Sequence, residues 1–205
     1  MYDRFGKRLL DLVGAALLLV LLSPLFGVVA SLVLLRIGRP ILFVQPRAGR
    51  GGAPFTLLKF RSMAQGTGPD AARLDSFGRA LRASGLDELP QLVNVLRGEM
   101  SLVGPRPLPL SYLAHYSARQ AMRLRVRPGI VGPGVAAGRN AVAWPRRLEL
   151  GAAYAEAPLR FRVDMVLLAR SLLVLVTGRG VTAPGHASMP AFGPTEAPTR
   201  EPGER

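Results

Sequence analysis

Between the apolar N-terminal segment and the Pro/Gly-rich C-terminal end, only one pair of adjacent carboxylates occurs. It is Asp87-Glu88, in the run Leu86-Asp87-Glu88-Leu89-Pro90-Gln91. Basic residues fall in Gly/Pro-punctuated stretches: Arg47 and Arg50 beside a glycine loop, Lys59-Phe60-Arg61, Gly104-Pro105-Arg106-Pro107 and Gly138-Arg139-Asn140. A short acid pair among rigidly held cations suits the handling of a phosphoanhydride. One carboxylate can attack phosphorus, another can hold Mg2+, and fixed cations can stabilise charge on the transferring oxygens. Magnesium takes one or two carboxylates plus substrate phosphates, so no larger protein cage is required. The plainer alternatives are a capping role for the acids and a solvated surface for the cations.

The remaining composition narrows the chemistry further. The 205 residues include no Cys and two His, so a disulfide framework, a thiolate nucleophile and Cys-ligated zinc are excluded. His115 and His186 lie too far apart in sequence to form a ligand cluster by themselves. The formal charge is +14, from 27 basic and 13 acidic side chains, and Lys7 and Lys59 are the only lysines. A GC-rich genome accounts for arginine over lysine but not for the net excess of positive charge. Arginine's planar fork suits phosphate, which leaves nucleic acid, nucleotide diphosphates and anionic lipid headgroups as partner classes.

Several elements must position these groups. Pro90 lacks a backbone donor and suits a first helical turn, which predicts Asp87 and Glu88 at a helix N-terminus, where the dipole favours ionised carboxylates. Leu86, Leu89, Val93 and Leu96 mark an amphipathic helix that Gly98 ends. Residues 40–45 and 55–60 read as strands of a hairpin around Gly49-Arg50-Gly51-Gly52. Residues 64–72 read as an exposed loop, 77–82 as a short helix and 110–124 as a helix stopped by Arg127-Pro128-Gly129. Gly- and Pro-rich turns follow through Gly138. Residues 161–177 suit a helix along a membrane surface with Asp164 and Arg170 turned to water, or a plain core helix. From Ala183 the composition is that of a disordered tail.

Residues 12–35 carry no charge and fit three descriptions: a signal peptide, a transmembrane helix, or a helix that enters a membrane, breaks and returns. Ser23-Pro24 sits near the centre, where proline predicts a kink and a serine hydroxyl can satisfy a freed carbonyl. Each half is then roughly 17 Å long, too short for a hydrocarbon core of ~30 Å. Basic residues flank both ends, Arg4, Lys7 and Arg8 before and Arg36, Arg39, Arg47 and Arg50 after, which pulls both ends to the cytoplasmic side.

Taken in order, four segments resemble the bacterial sugar transferase family, the small monotopic polyprenyl-phosphate phosphoglycosyltransferases. They are Lys7-Arg8-Leu9-Leu10-Asp11 leading into the Ser-Pro helix, Lys59-Phe60-Arg61-Ser62-Met63, the run from Leu86-Asp87-Glu88 to Val103-Gly104-Pro105-Arg106-Pro107, and Arg127-Pro128-Gly129-Ile130. The likeness covers roughly residues 4–182. It implies transfer of a sugar-1-phosphate from a UDP-sugar to polyprenyl phosphate with release of UMP. The setting it implies is the cytosolic face of the bacterial cytoplasmic membrane, as the first membrane step of glycan assembly. It further implies Asp87 as nucleophile of a phosphosugar-aspartyl intermediate and Glu88 as the Mg2+ ligand. Lys59, Arg61, Arg82, Arg106 and Arg139 become substrate-phosphate contacts, and Ser23 and Pro24 the break that makes the membrane helix re-entrant. The expected fold is then α+β and helix-rich: a re-entrant helix over 1–36, a catalytic domain over 37–182 with a small β-hairpin and amphipathic interfacial helices, and a disordered tail over 183–205.

The chain departs from the family pattern after Ile130. The pattern continues Thr-Gly-Trp-Ala-Gln-Val-Asn-Gly-Arg-Asn, whereas residues 131–140 read Val-Gly-Pro-Gly-Val-Ala-Ala-Gly-Arg-Asn. Gly151 replaces an acidic residue, and Ala153 stands near a usual aromatic, while Asp164 is retained. These changes imply an unusual nucleotide sugar or lowered activity. A catalytically impaired membrane-anchored scaffold would explain them, but not the intact carboxylates. A nucleic-acid binder would explain the charge, but neither the acid pair nor the scarcity of aromatics for base stacking, so no nucleic-acid partner is expected.

Overall fold

The computed structural model describes residues 2–66, 70–178, Gly180 and Phe192. A π-helical turn (Tyr2–Gly6) runs into α1 (Lys7–Leu21), and α2 (Ser23–Arg36) follows after one residue at a bend of 65°. Pro24 lies in the first turn of α2, where its missing N–H has no helical partner to lose. Ser23 Oγ donates to the Val20 carbonyl at 2.8 Å, the compensation expected at such a break. With 15 and 14 residues, the helices are each about 21–23 Å long. Among the described residues no single helix is long and apolar enough to cross a membrane. One side of the pair packs inward through Ala15, Val29 and Val33, while Leu9, Val13, Leu17, Val20, Leu21, Val28 and Leu35 remain exposed.

The predicted hairpin forms between β1 (Leu42–Ala48) and β2 (Pro54–Phe60), antiparallel with Phe43 opposite Lys59. The expected loop over 64–72 is exposed at 64–66 but becomes helical at α3 (Asp70–Arg73); residues 67–69 lie outside the described residues. In α4 (Ser76–Ser84) the Asp75 carboxylate caps the start by accepting from the Gly78 amide at 2.7 Å. Gly85, left-handed at φ 72°, then turns the chain into a 3-10 turn (Leu86–Glu88) ahead of α5 (Gln91–Arg97). The acid pair is therefore not in the first turn of α5. Pro90 caps that helix and, lacking an N–H, separates its hydrogen-bond ladder from the acidic turn. Gly98 ends α5 as predicted.

β3 (Ser101–Val103) and β4 (Gly129–Val131) form a parallel pair, the second of them where turns were expected. Glycine permits this crossing. A Cβ on Gly129 would stand 2.0 Å from the Gly104 nitrogen, and one on Gly132 1.9 Å from the Gly104 carbonyl oxygen. The predicted helix over 110–124 is broken into a 3-10 stretch (Leu110–His115), α6 (Ala118–Ala121) and a second 3-10 stretch (Met122–Arg125). Tyr116 is extended, and a Ser117–Gln120 capping box restarts the helix beyond it.

Three helices complete the fold: α7 (Pro133–Ala136), α8 (Trp144–Glu156) and α9 (Phe161–Val176). Helix α9 corrects one expectation. Arg170 is exposed, but Asp164 has 0% exposure and faces inward with Ser171, two turns along the same face. Its carboxylate accepts from Lys7 Nζ at 2.8 Å, from the Tyr154 hydroxyl at 2.7 Å and from the Tyr2 hydroxyl. The outward face carries Phe161, Val166, Leu172, Leu173 and Val176 instead. Ala15 meets Leu57, Leu92, Val95 and Met100 in one core, and Val29 and Val33 meet Phe60 and Leu81 in a second. The expected tail lies outside the described residues apart from Phe192, whose ring packs among Tyr112, His115, Tyr116 and Trp144.

Candidate active site

Asn94 fixes the acidic turn against the hairpin. Fully buried in α5, it accepts from the Leu58 amide at 3.1 Å and donates to the Thr56 carbonyl at 2.8 Å and to Glu99 at 2.6 Å. Strand β2 then delivers Lys59 to the carboxylates. Lys59 Nζ lies 3.0 Å from Glu88 Oε1 and 3.9 Å from Asp87 Oδ2. Arg106, carried just beyond the Gly104 crossing, donates to the same Glu88 oxygen at 2.6 Å. Side chains of Arg82 and Arg139 approach from α4 and from the turn after Gly138.

These contacts separate the two carboxylates electrostatically. Burial raises Asp87 above the ordinary aspartate range; Lys59 opposes that shift and Glu88 adds to it. Burial alone would raise Glu88 as well, but the charges of Arg106 and Lys59 and their hydrogen bonds outweigh it. Glu88 is held far below the usual carboxylate range. The charge of Glu88 in turn raises Arg106. The ionised state of Glu88 thus rests on two cations rather than on a helix dipole. Asp87 is the less stabilised anion, and a less stabilised anion is the better nucleophile.

Every site residue expected in the catalytic domain lines one pocket of about 790 Å3: Asp87, Glu88, Lys59, Arg61, Arg82, Arg106 and Arg139. Some are partly committed to the framework. Arg61 donates through Nη2 to the Ile37 and Gly38 carbonyls, while its Nε and Nη1 are buried without a partner. Arg82 Nε donates to Ser62 Oγ at 2.8 Å. Arg139, at φ 55°, donates to the Arg82 and Ala83 carbonyls that close α4. Ser23 and Pro24 lie at the helix bend and do not line the pocket.

With Arg47, Arg73 and Arg147, eight basic residues line the pocket among the described residues, together with the two carboxylates, Tyr112 and Trp144. Burial lowers both Arg47 and Arg147 to about 10, and nearby Arg106 contributes to each shift. Sequence reasoning missed Arg147 and Trp144 because α8 was not anticipated; Trp144-Pro145, with proline in a first helical turn, was the available signal. Arg50 had been grouped with these cations, but its Nε donates to the Arg125 carbonyl and it does not line the pocket.

Among the described residues no three His, Cys, Asp or Glu side chains stand together as a metal cage. The acid pair nevertheless offers hard oxygen donors. Lys59 and Arg106 both use Oε1 of Glu88, and no described protein donor lies within hydrogen-bond distance of Oε2 or of the Asp87 carboxylate. That set fits Mg2+ when substrate phosphates supply further oxygens.

The sequence matches the family described as Bacterial sugar transferase over residues 2–178. It is 40% identical over 192 residues to an uncharacterized sugar transferase, EpsL, of Bacillus subtilis, covering 91% of this chain and 95% of that one. Similarity to the exopolysaccharide production protein ExoY of Rhizobium meliloti is 34% over 198 residues, covering 85% and 87%. A third relative is the UDP-glucose:undecaprenyl-phosphate glucose-1-phosphate transferase of Caulobacter vibrioides, 50% identical over 137 residues. That match covers 62% of this chain and 51% of the longer relative. With its acid pair and basic pocket on the matched segment, the chain belongs to the bacterial sugar transferase family.

Proposed function

We propose that this protein transfers a sugar-1-phosphate from a UDP-sugar to polyprenyl phosphate at the cytosolic face of the bacterial cytoplasmic membrane, releasing UMP. The observation that carries this is the unequal carboxylate pair in a pocket lined by these eight basic residues. The relatives support the reaction class, and the Caulobacter relative makes UDP-glucose the first donor to test.

An Asp87 carboxylate oxygen attacks the phosphorus that bears the sugar, and the bond from that phosphorus to the bridging oxygen of UMP breaks. A phosphate oxygen of the polyprenyl acceptor then attacks the same phosphorus. The aspartyl–phosphorus bond breaks, freeing Asp87 and leaving a sugar diphosphate on the lipid. Lys59 lowers the charge around Asp87 as phosphate approaches, and Arg106 anchors Glu88. Glu88 would hold Mg2+, with Asp87 beside it, and the ion would neutralise diphosphate charge as the phosphoryl group moves. The remaining arginines bind and orient the two substrates' phosphates.

The bent helix pair and α9, with their exposed leucines and valines, are the surfaces that would enter the membrane, α1–α2 as a re-entrant hairpin. That arrangement sets the pocket at the interface, where a lipid phosphate can reach it while the tail stays in the bilayer. The test is UMP release from a panel of UDP-sugars with undecaprenyl phosphate and Mg2+. Release from one donor, absent without acceptor beyond a single turnover and absent in Asp87→Asn, supports the reaction. Silence across the panel with folded protein overturns it and returns weight to the altered 131–137 segment and a scaffold role.

A further inference from the structure

A second cationic site lies at the far end of α5 from the acid pair. Arg8 donates to the Val95 carbonyl at 2.7 Å and to the Leu96 carbonyl at 3.1 Å. Arg127 Nε donates to the Gly98 carbonyl at 2.8 Å, and Arg50 Nε donates to the Arg125 carbonyl at 3.2 Å. Each guanidinium is thus pinned on one edge by backbone oxygens. Arginine at a helix C-terminus has an ordinary stabilising role, which Arg8 and Arg127 fill at the end of α5, whereas Arg50 binds the end of the 3-10 stretch two residues before Arg127. Burial lowers the Arg127 pKa, and the charges of Arg8 and Arg50 lower it further. Among the described residues none of the three has a carboxylate within 4 Å; the charge of Asp11 reaches Arg8 and Arg127, but its carboxylate is buried and accepts from Ser101 Oγ and the Leu102 amide. Arg50 is exposed and Arg127 half-buried, so guanidinium N–H groups of both can meet an external acceptor.

The surroundings identify that acceptor. Phe5, Leu9 and Leu12 lie within about one turn of Arg8 along the chain and are 75%, 63% and 37% exposed. Leu96, whose carbonyl Arg8 binds, is 36% exposed. A soluble anion would use the arginines and leave this apolar rim in water. A phospholipid would use both, its phosphodiester on the guanidinium edges and its acyl chains along the leucines. None of Arg8, Arg50 or Arg127 lines the active-site pocket, and α5 alone separates the two sites by about 10 Å.

We propose that Arg8, Arg50 and Arg127 form a binding site for the headgroup of an anionic glycerophospholipid, separate from the substrate pocket. The proposal rests on the membrane placement argued above. Such a site would fix how the protein sits in the leaflet, with the mouth of the pocket at a set depth.

The experiment uses the full chain in mild non-ionic detergent and follows thermal unfolding. The additives are dioctanoyl phosphatidylglycerol, dioctanoyl phosphatidylcholine or inorganic phosphate. Phosphatidylglycerol is expected to raise the melting temperature saturably, and the other two are not. In Arg50→Gln/Arg127→Gln the apparent affinity for phosphatidylglycerol should fall on the order of 25-fold, at about fivefold per arginine. Arg36→Gln/Arg39→Gln, which removes equal charge at the end of α2, should stay within about twofold. Equal stabilisation by phosphatidylcholine, full reproduction by phosphate, or equal losses in both double variants would each overturn the site. UMP release measured on the same samples separates the two proposals. Headgroup selectivity without any transfer would sink the transferase assignment alone, and transfer without selectivity would sink this one.

Discussion

Replacing Asp164 with asparagine would remove the anion of a buried pair while keeping the shape of the side chain. Asp164 is fully buried and Lys7 is 8% exposed, so the cation left behind cannot hydrate without disturbing the junction of α1, α8 and α9. Lys7 would retain the Val103 carbonyl at 2.9 Å, and an asparagine oxygen can still accept from one of the two tyrosine hydroxyls. Removing one member of a buried pair costs about 3–5 kcal/mol, and the retained bonds place this case near ~3 kcal/mol. That is roughly a hundredfold change in the folding equilibrium. Guanidinium unfolding in detergent, followed by fluorescence of the sole tryptophan, Trp144, would measure it. Lys7→Met/Asp164→Leu should recover most of the loss, because replacing both partners with apolar groups leaves no uncompensated charge. An Asp164→Asn protein within about 0.5 kcal/mol of wild type would refute the claim that this cluster docks the first helix.

Three further outcomes are expected. Burial raises Asp87, so its ionisation weighs against folding above the ordinary aspartate range, and that penalty fades as pH falls. Asp87→Asn should therefore be at least as stable as wild type at pH 7, and the acid limb of transfer should lie above the pKa of free aspartate; an Asp87→Asn protein clearly less stable in a melt contradicts this. Glu88 is depressed, so its stabilisation is present above the ordinary glutamate range and lost as pH falls through its much lower folded value. Glu88→Gln should abolish transfer and lower stability by about 1.5–3 kcal/mol through the weakened bonds to Arg106 and Lys59; an unchanged Mg2+ titration with wild-type turnover would remove Glu88 from both roles. For topology, single cysteines at Asp3 and Arg39 of this cysteine-free chain should both label from the cytoplasmic side in cells, while Ser23→Ala/Pro24→Ala should move Arg39→Cys to the other side; opposite-side labelling without those changes would exclude a re-entrant hairpin.

Much of the framework was legible because its signals are local. Ser23-Pro24 marked the bend, two short apolar runs flanking the glycine loop marked the hairpin, and Gly98 marked the end of α5. The candidate residues of the catalytic domain stood out as motifs, and the fold brings them to one pocket, away from Ser23 and Pro24. What was hidden depends on partners distant in sequence. Three-residue strands such as β3 and β4 carry too little periodicity to be seen, and their pairing rests on backbone contact at Gly104, Gly129 and Gly132. Asp164 resembled a water-facing residue because two of its three partners, Lys7 and Tyr2, lie more than 150 positions away. The separate behaviour of Asp87 and Glu88 could not be read from adjacency, since it comes from Lys59 and Arg106 placed by other elements.

The central claim is that Asp87 becomes covalently bonded to the phosphorus of the donor. Incubating the purified protein with its UDP-sugar and Mg2+ but no lipid acceptor, then measuring intact mass and UMP together, tests it most directly. The account predicts up to one UMP released per protein, a mass increase equal to one sugar phosphate located on the peptide bearing Asp87, and its discharge on adding polyprenyl phosphate; Asp87→Asn should give neither signal. Steady turnover with acceptor, no UMP before it is added and no adduct at any time would contradict the account, because phosphate would then be passing directly from donor to lipid.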